Sequence, residues 1–145
     1  MSTTQYGLLV RALDISVIRY CLSEELYTVS LSLGDNLREI NIKTCYQLRD
    51  YSLSRILRTG SLERIYFEEN RFLTDESLAE IARYCPNVVV LSVQRCPEFS
   101  TGLFLVAERC LKLEELIIIP LELFDKRIMK EIFSLLGSRL SCIAY

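Results

Sequence analysis

One pattern recurs along this chain at nearly constant spacing. The form apolar-x-x-apolar-x-apolar-x-x-(Cys or Asn) occurs as Leu37, Ile40, Ile42, Cys45, then as Leu62, Ile65, Phe67, Asn70, then as Val88, Leu91, Val93, Cys96. A fourth copy, Leu113, Leu116, Ile118, has Leu121 in the last place, and a fifth runs Leu140, Ile143, Tyr145. The alternation inside each copy is that of a short strand with one apolar face. Between the strands, apolar residues recur at helical spacing: Leu48, Leu53, Ile56 and Leu57; then Leu73, Leu78, Ile81 and Ala82; then Leu103, Val106 and Ala107 behind Phe99; then Phe124, Ile128, Ile132, Phe133 and Leu136. A single strand and helix of this size cannot bury their own apolar side. Each unit needs a copy of itself on its flanks, so the chain has to stack.

Copies that start near residues 37, 62, 88, 113 and 140 have the period of leucine-rich repeats. The expectation is an α/β solenoid, a short horseshoe with a parallel β-sheet on the concave side and helices on the convex side, over residues 37–145. Residues 1–36 read as an N-terminal cap or a degenerate repeat. Leu8, Leu9, Ala12, Leu13 and Ile15 to Ile18 suit a short helix or a degenerate first repeat, with Ile15, Ile18 and Tyr20 imitating the later strands. Leu26, Val29, Leu31 and Leu33 imitate a helix or strand face, and Gly34-Asp35-Asn36 is a turn signal. A terminal unit covers the stack on one side only, so an atypical sequence is expected there. Oxygens of Asp50 or Ser52, Thr74-Asp75 and Ser100-Thr101 can cap helix starts. Gly60 and Gly137 suit helix ends, and Pro86 prevents a helix from running on.

At 145 residues the chain suits one domain, and half of it is hydrophobic. No uncharged apolar run approaches the roughly 18 residues of a membrane span, so the apolar excess belongs in a core or under a partner. The net charge of −2 comes from interspersed acids and bases, without the basic patch that a nucleic acid or an anionic membrane would require. The absence of His removes His-based triads, general bases and metal sites. Cysteines 21, 45, 85, 96, 110 and 142 include no Cys-x-x-Cys pair. Arg11, Asp14 and Arg19 break any signal-peptide pattern, so buried free thiols are expected rather than disulfides. Arg11 and Arg19, opposed only by Asp14, leave a mitochondrial transit segment open. Glu68-Glu69 and Glu114-Glu115 are strand neighbours that point to opposite faces, and the glycines form no phosphate loop. No enzyme activity, cofactor or metal is expected.

The corner residues Cys45, Asn70 and Cys96 have to turn inward in a tight space, which suits a stacking amide or a small thiol. Cys85 and Cys110 recur at helix ends, in Arg-Tyr-Cys-Pro and Glu-Arg-Cys-Leu. With cysteines at both places and Leu-Thr-Asp opening a helix at Leu73, the chain from Leu37 to Tyr145 resembles the cysteine-containing class of leucine-rich repeat. That class is similar to the repeats of F-box/LRR substrate adaptors of cullin-type ubiquitin ligases and of relatives of the mitotic-exit antagonist. The resemblance implies a non-catalytic scaffold, an adaptor or substrate-recognition module, in the cytoplasm or nucleus, whose concave side grips a protein partner. Residues 1–36 do not resemble an F-box, and the first proline is Pro86, so the resemblance does not extend to docking on the ligase core. Short relatives of the class without an F-box include the coupling factor B type of mitochondrial ATP synthase, which implies a mitochondrial alternative. A structural piece of a larger repeat array is a third reading.

In such a sheet the residues between the apolar positions face outward. They are Glu39, Asn41 and Lys43; Arg64, Tyr66 and Glu68; Val90, Ser92 and Gln94; Glu115, Ile117 and Ile119. A partner would meet a polar N-terminal half, an apolar C-terminal half, and Tyr66 as an anchor between them. Leu140 to Tyr145 reads as a bare strand, which serves as a closing strand, continues into a longer array, or invites edge-to-edge pairing of two copies.

Overall fold

Pairing partners in the sheet follow the repeat. The computed structural model describes residues 9–16, 18, 23–33 and 35–140, and the backbone of 142–144. Six parallel strands lie in chain order, β1 (Ala12–Asp14), β2 (Glu39–Lys43), β3 (Arg64–Glu68), β4 (Val90–Gln94), β5 (Glu115–Ile119) and β6 (Cys142–Ala144). Between them run helices α1 (Ser23–Ser30), α2 (Asp50–Arg58), α3 (Asp75–Tyr84), α4 (Gly102–Arg109) and α5 (Lys126–Leu136). Each helix carries one apolar stripe and packs against the helices beside it in the chain. The register sets Ile40, Ile65, Leu91 and Leu116 side by side, and likewise Ile42, Phe67, Val93 and Ile118. All eight are buried in one continuous core with the helix stripes. The expected α/β solenoid is what forms.

The N-terminal unit shares this plan in a different register from the one expected. Ala12 pairs with Glu39 and Leu13 with Ile40, so the motif reads Val10, Leu13, Ile15, Ile18, aligned with Leu37, Ile40, Ile42, Cys45. Counting from Ile15 through Tyr20 is out of step with that pairing. Leu26 is the apolar side chain of α1 that reaches the core, whereas Val29 and Leu31 are exposed because no unit covers that flank among the described residues. Leu8, Tyr20, Gly34 and Tyr145 lie outside the described residues. Leu48, Leu73, Phe99 and Phe124 are buried as expected, but each sits in the loop ahead of its helix.

The corners turn one residue earlier than the Cys/Asn position. Thr44, Glu69 and Arg95 take left-handed backbone conformations with φ of 55°, 54° and 51°. Each donates its N–H to the last carbonyl of the next strand, at 2.7 Å to Glu68, 2.8 Å to Gln94 and 2.6 Å to Ile119. The hydrogen bond holds a conformation that is uncommon for non-glycine residues. Cys45 and Asn70 then point inward against the preceding repeat. The Cys45 Sγ lies 3.6 Å from the carbonyls of Ile15 and Ile18, and Asn70 Nδ2 donates to the Ile42 carbonyl at 2.8 Å. Cys85 Sγ similarly meets the Leu57 carbonyl at 3.2 Å, and Cys110 Sγ the Cys85 carbonyl at 3.6 Å. Burial pushes the Cys85 thiol up to about 12 and the Cys96 and Cys110 thiols to about 11, so they stay protonated packing groups.

Carboxylates expected as helix caps tie one repeat to the next instead. Asp50 accepts hydrogen bonds from the Thr74 N–H, the Thr74 hydroxyl and the Ser77 hydroxyl at 2.9, 2.9 and 2.6 Å. Asp75 accepts from the Ser100 N–H, the Ser100 hydroxyl and the Thr101 hydroxyl at 2.7, 2.8 and 3.0 Å. Ser23 begins the series by accepting from the Arg49 N–H at 2.9 Å. Of the expected capping residues, Thr74 caps its own helix, through the Glu76 N–H at 3.2 Å. The free N–H groups of a helix start are thus satisfied from the neighbouring unit, which converts a local need into a stacking force.

Gly102 is part of this joint. A Cβ there would stand 2.8 Å from both Asp75 Oδ1 and Leu78 Cβ. Alanine normally gains up to about 1 kcal/mol over glycine in a helix interior. At this position the sign should reverse, because Leu78 Cβ is anchored to its backbone and α3 and α4 would have to separate. Gly102→Ala is expected to destabilise by about 1–2 kcal/mol in urea unfolding, as overpacking outweighs propensity.

Candidate interaction surfaces

The outward residues of the sheet stand in three rows. Glu39, Arg64, Val90 and Glu115 form the first row, and Asn41, Tyr66, Ser92 and Ile117 the second. Lys43, Glu68, Gln94 and Ile119 form the third. Strand β1 extends the second row with Asp14, which accepts from Asn41 Nδ2 at 3.4 Å. Two of the twelve are not open to a partner. Val90 is 6% and Ser92 1% exposed. Ser92 is small, lies between Tyr66 and Ile117, and accepts a hydrogen bond from Gln94 Nε2 at 3.0 Å. Larger neighbours close over such a residue, which strand alternation alone does not reveal. Arg64 is exposed and the remaining nine are half-buried.

Charges in the third row are internally paired. Lys43 Nζ is 3.6 Å from Glu68, and Arg95 Nη1 lies 3.7 Å from Glu68 and 3.0 Å from Glu69. Solvent-facing pairs of this kind contribute about 0–1 kcal/mol, so a partner can redirect them at small cost. Burial raises the Tyr66 hydroxyl pKa. Glu39 adds to the shift, Arg64 opposes it, and Glu115 raises it further. That hydroxyl therefore stays a hydrogen-bond donor in an acidic setting.

Beyond the third row lies a rim that alternation could not find. Tyr46, Glu69, Arg71, Phe72, Arg95 and Leu123, with Ile119 and Pro120, line a groove of about 960 Å³. The Arg71 guanidinium sits 5.4 Å from the Tyr46 ring centre, and Arg49 sits 4.8 Å from that of Phe72. The Tyr46 hydroxyl is 3.3 Å from Glu69 Oε2. The left-handed corner interrupts the inward-outward count, so a period-two reading stops at residue 43, 68 or 94. The usable signal is the recurrence of positions 46, 71 and 97 at the repeat period. A second, apolar groove of about 630 Å³ lies on the other side of Ile119 and Pro120, against α5.

The helix side also has a groove, of about 970 Å³, lined by Tyr27, Tyr51, Asp50, Arg58 and Glu80 among others. Two of its acids, Asp50 and Glu80, are already engaged. Asp50 holds Thr74 and Ser77, and Glu80 accepts from Arg58 at 2.7 Å and Ser54 at 3.0 Å. Among the described residues no cluster of Cys, Asp or Glu could hold a metal ion, and no helix is long and apolar enough to cross a membrane.

No family model matches the sequence, and no curated protein is similar to it at a significant level. Solved structures are similar to it in fold. The crystal structure of the Rad7 and Elc1 complex in yeast aligns with a TM-score of 0.71 at 21% identity, over 83% of this chain and 30% of that one. The tropomodulin C-terminal domain of Caenorhabditis elegans aligns with a TM-score of 0.69 at 12% identity, over 94% of this chain and 90% of that one. The chain thus spans under a third of the length of the yeast protein it resembles. What these similarities and the repeat geometry together establish is the fold, a leucine-rich-repeat-type α/β solenoid.

Proposed function

We propose that this chain is a non-catalytic protein–protein interaction module that grips a partner with the concave sheet face. The observation that carries this reading is the placing of Tyr66, Ile117 and Ile119 on the face that no helix covers among the described residues, beside charged side chains that pair only weakly. An aromatic anchor next to apolar and redirectable polar groups is the composition of a binding hot spot. The absence of His and the protonated, buried thiols support a role without catalysis.

The cysteine-bearing repeats further support an adaptor or substrate-recognition role in a ubiquitin-ligase-type pathway, in the cytoplasm or nucleus. The yeast structure of similar fold is itself a complex, of Rad7 and Elc1. That this chain matches 30% of that protein favours, as a second reading, a unit that works inside a larger repeat array. Edge pairing of two copies through Leu140 to Tyr145 belongs to the same reading, since β6 is the last strand of the sheet.

Affinity capture from cells followed by mass spectrometry tests the proposal. Cullin-ligase components should be retained by the native protein. Tyr66→Ala and Ile117→Asp should each reduce capture at least about tenfold, a loss of about 1.4 kcal/mol, without changing the far-ultraviolet circular dichroism. Respiratory-complex subunits would point to the mitochondrial coupling alternative. Unchanged capture by both variants would remove the sheet face from the account.

A further inference from the structure

The corner column breaks at one place. Thr44, Glu69 and Arg95 turn left-handed and donate N–H to the next strand, but the equivalent Pro120 has no N–H and a φ of −78°. The chain then runs into a 3₁₀ turn at Leu121–Leu123 before α5. This leaves the open, 630 Å³ groove lined by Leu121, Phe124, Met129 and Phe133, with Ile119 and Pro120 shared with the rim groove. The size is that of a ligand site, and a methionine in the lining adapts to different apolar shapes.

Its charges are Lys126, Lys130 and Glu122. Lys126 and Lys130 are one helical turn apart and share a face of α5. Helices α1, α2 and α3 each begin with acids, the sign favoured at the positive end of a helix. Helices α4 and α5 have none in their first turns, and α5 begins with the bases Lys126-Arg127. Asp125 caps the helix through the Arg127 N–H and pairs with the Arg127 guanidinium at 3.6 Å. Neither Lys126 nor Lys130 forms an ion pair among the described residues.

We propose that this groove docks a peptide segment of a partner protein that combines a bulky apolar side chain with flanking acidic residues. The apolar side chain fills the Phe124–Met129–Phe133 lining, and the carboxylates face Lys126 and Lys130. A peptide fits better than a lipid chain, because the groove is open and borders, across Ile119 and Pro120, the polar rim beside Glu69 and Arg95. The inference rests on the interaction-module reading and names the partner chemistry that one end of the solenoid selects.

Two fluorescein-labelled peptides test it by anisotropy, Glu-Asp-Leu-Phe-Asp-Glu and the basic counterpart Lys-Lys-Leu-Phe-Lys-Lys, with the Met129 methyl carbon resonance followed in parallel. The acidic peptide should bind about tenfold or more tightly than the basic one and shift the Met129 methyl. The double variant Lys126→Glu/Lys130→Glu alters two exposed residues, should keep its melting curve, and should reverse the preference. Equal affinity for both peptides, an unmoved Met129 methyl, or a Met129 shift with dodecanoate but with neither peptide would overturn the proposal. Failure here with partner capture still dependent on Tyr66 and Ile117 would overturn this inference alone. Peptide binding with capture indifferent to Tyr66 and Ile117 would overturn the sheet-face reading instead.

Discussion

Phe67→Ala is expected to destabilise the protein by about 3–5 kcal/mol, the range for deleting a buried aromatic side chain. Phe67 is fully buried in the column Ile42, Phe67, Val93, Ile118. Its ring meets Phe99 edge-on, with centroids 5.6 Å apart and planes at 62°. Such aromatic pairs add about 0.5–1.5 kcal/mol beyond the area they bury. Phe67 belongs to the strand and Phe99 to the loop ahead of the next helix, so the pair joins two successive units. In a stack where each unit touches only its neighbours, a void at that joint weakens both interfaces. Against a typical total stability of about 5–15 kcal/mol, the loss is large. Urea unfolding followed by circular dichroism measures it. Phe67→Leu should cost clearly less, and a broadened transition in the alanine variant would mean that the N-terminal and C-terminal units have begun to unfold separately.

Asp75→Ala is expected to cost about 2–3 kcal/mol, because it strands the Ser100 and Thr101 donors that its carboxylate satisfies. The effect is also pH-dependent, with a definite sign. Burial by itself raises the Asp75 pKa, but hydrogen bonds from the Ser100 N–H, the Ser100 and Thr101 hydroxyls and the Gly102 N–H outweigh it and hold the pKa below its ordinary value of 3.8. A carboxyl with a lowered folded-state pKa stabilises the fold fully above its unfolded-state value and loses that contribution as pH falls through the folded-state value. The stability difference between native protein and Asp75→Ala should therefore be constant at neutral pH and shrink on acidification below 3.8. Melting curves of the two proteins across that range test this. A gap that survives in strong acid would mean that Asp75 acts by packing and not by charge.

The repeat made most of the architecture legible, because inward positions spaced by one period become neighbours in a column. Ile40, Ile65, Leu91 and Leu116 pair as their spacing implies. What escaped had physical causes that a pattern of apolar residues does not carry. The first unit is out of step with the expected count because Ile18 stands where later repeats place Cys or Asn, and it is exposed. Asp50 and Asp75 look like ordinary caps, since the same oxygen chemistry serves a helix start in its own unit or in the next. The left-handed residues Thr44, Glu69 and Arg95 include no glycine, and the hydrogen bond each donates to a carbonyl of the following strand holds them there. The outward rows were readable to the residue, yet the closure over Val90 and Ser92 depends on the sizes of neighbours two strands apart. The rim grooves lie past the point where strand alternation ends.

The claim at the centre of this account is that partners meet the sheet side of the solenoid. Photo-crosslinking tests it most directly, with benzoylphenylalanine replacing Tyr66 on the sheet face in one protein and the exposed Tyr51 on the helix side in another. The account predicts a covalent adduct with the captured partner from position 66 and none from position 51. An adduct from position 51 alone would contradict it.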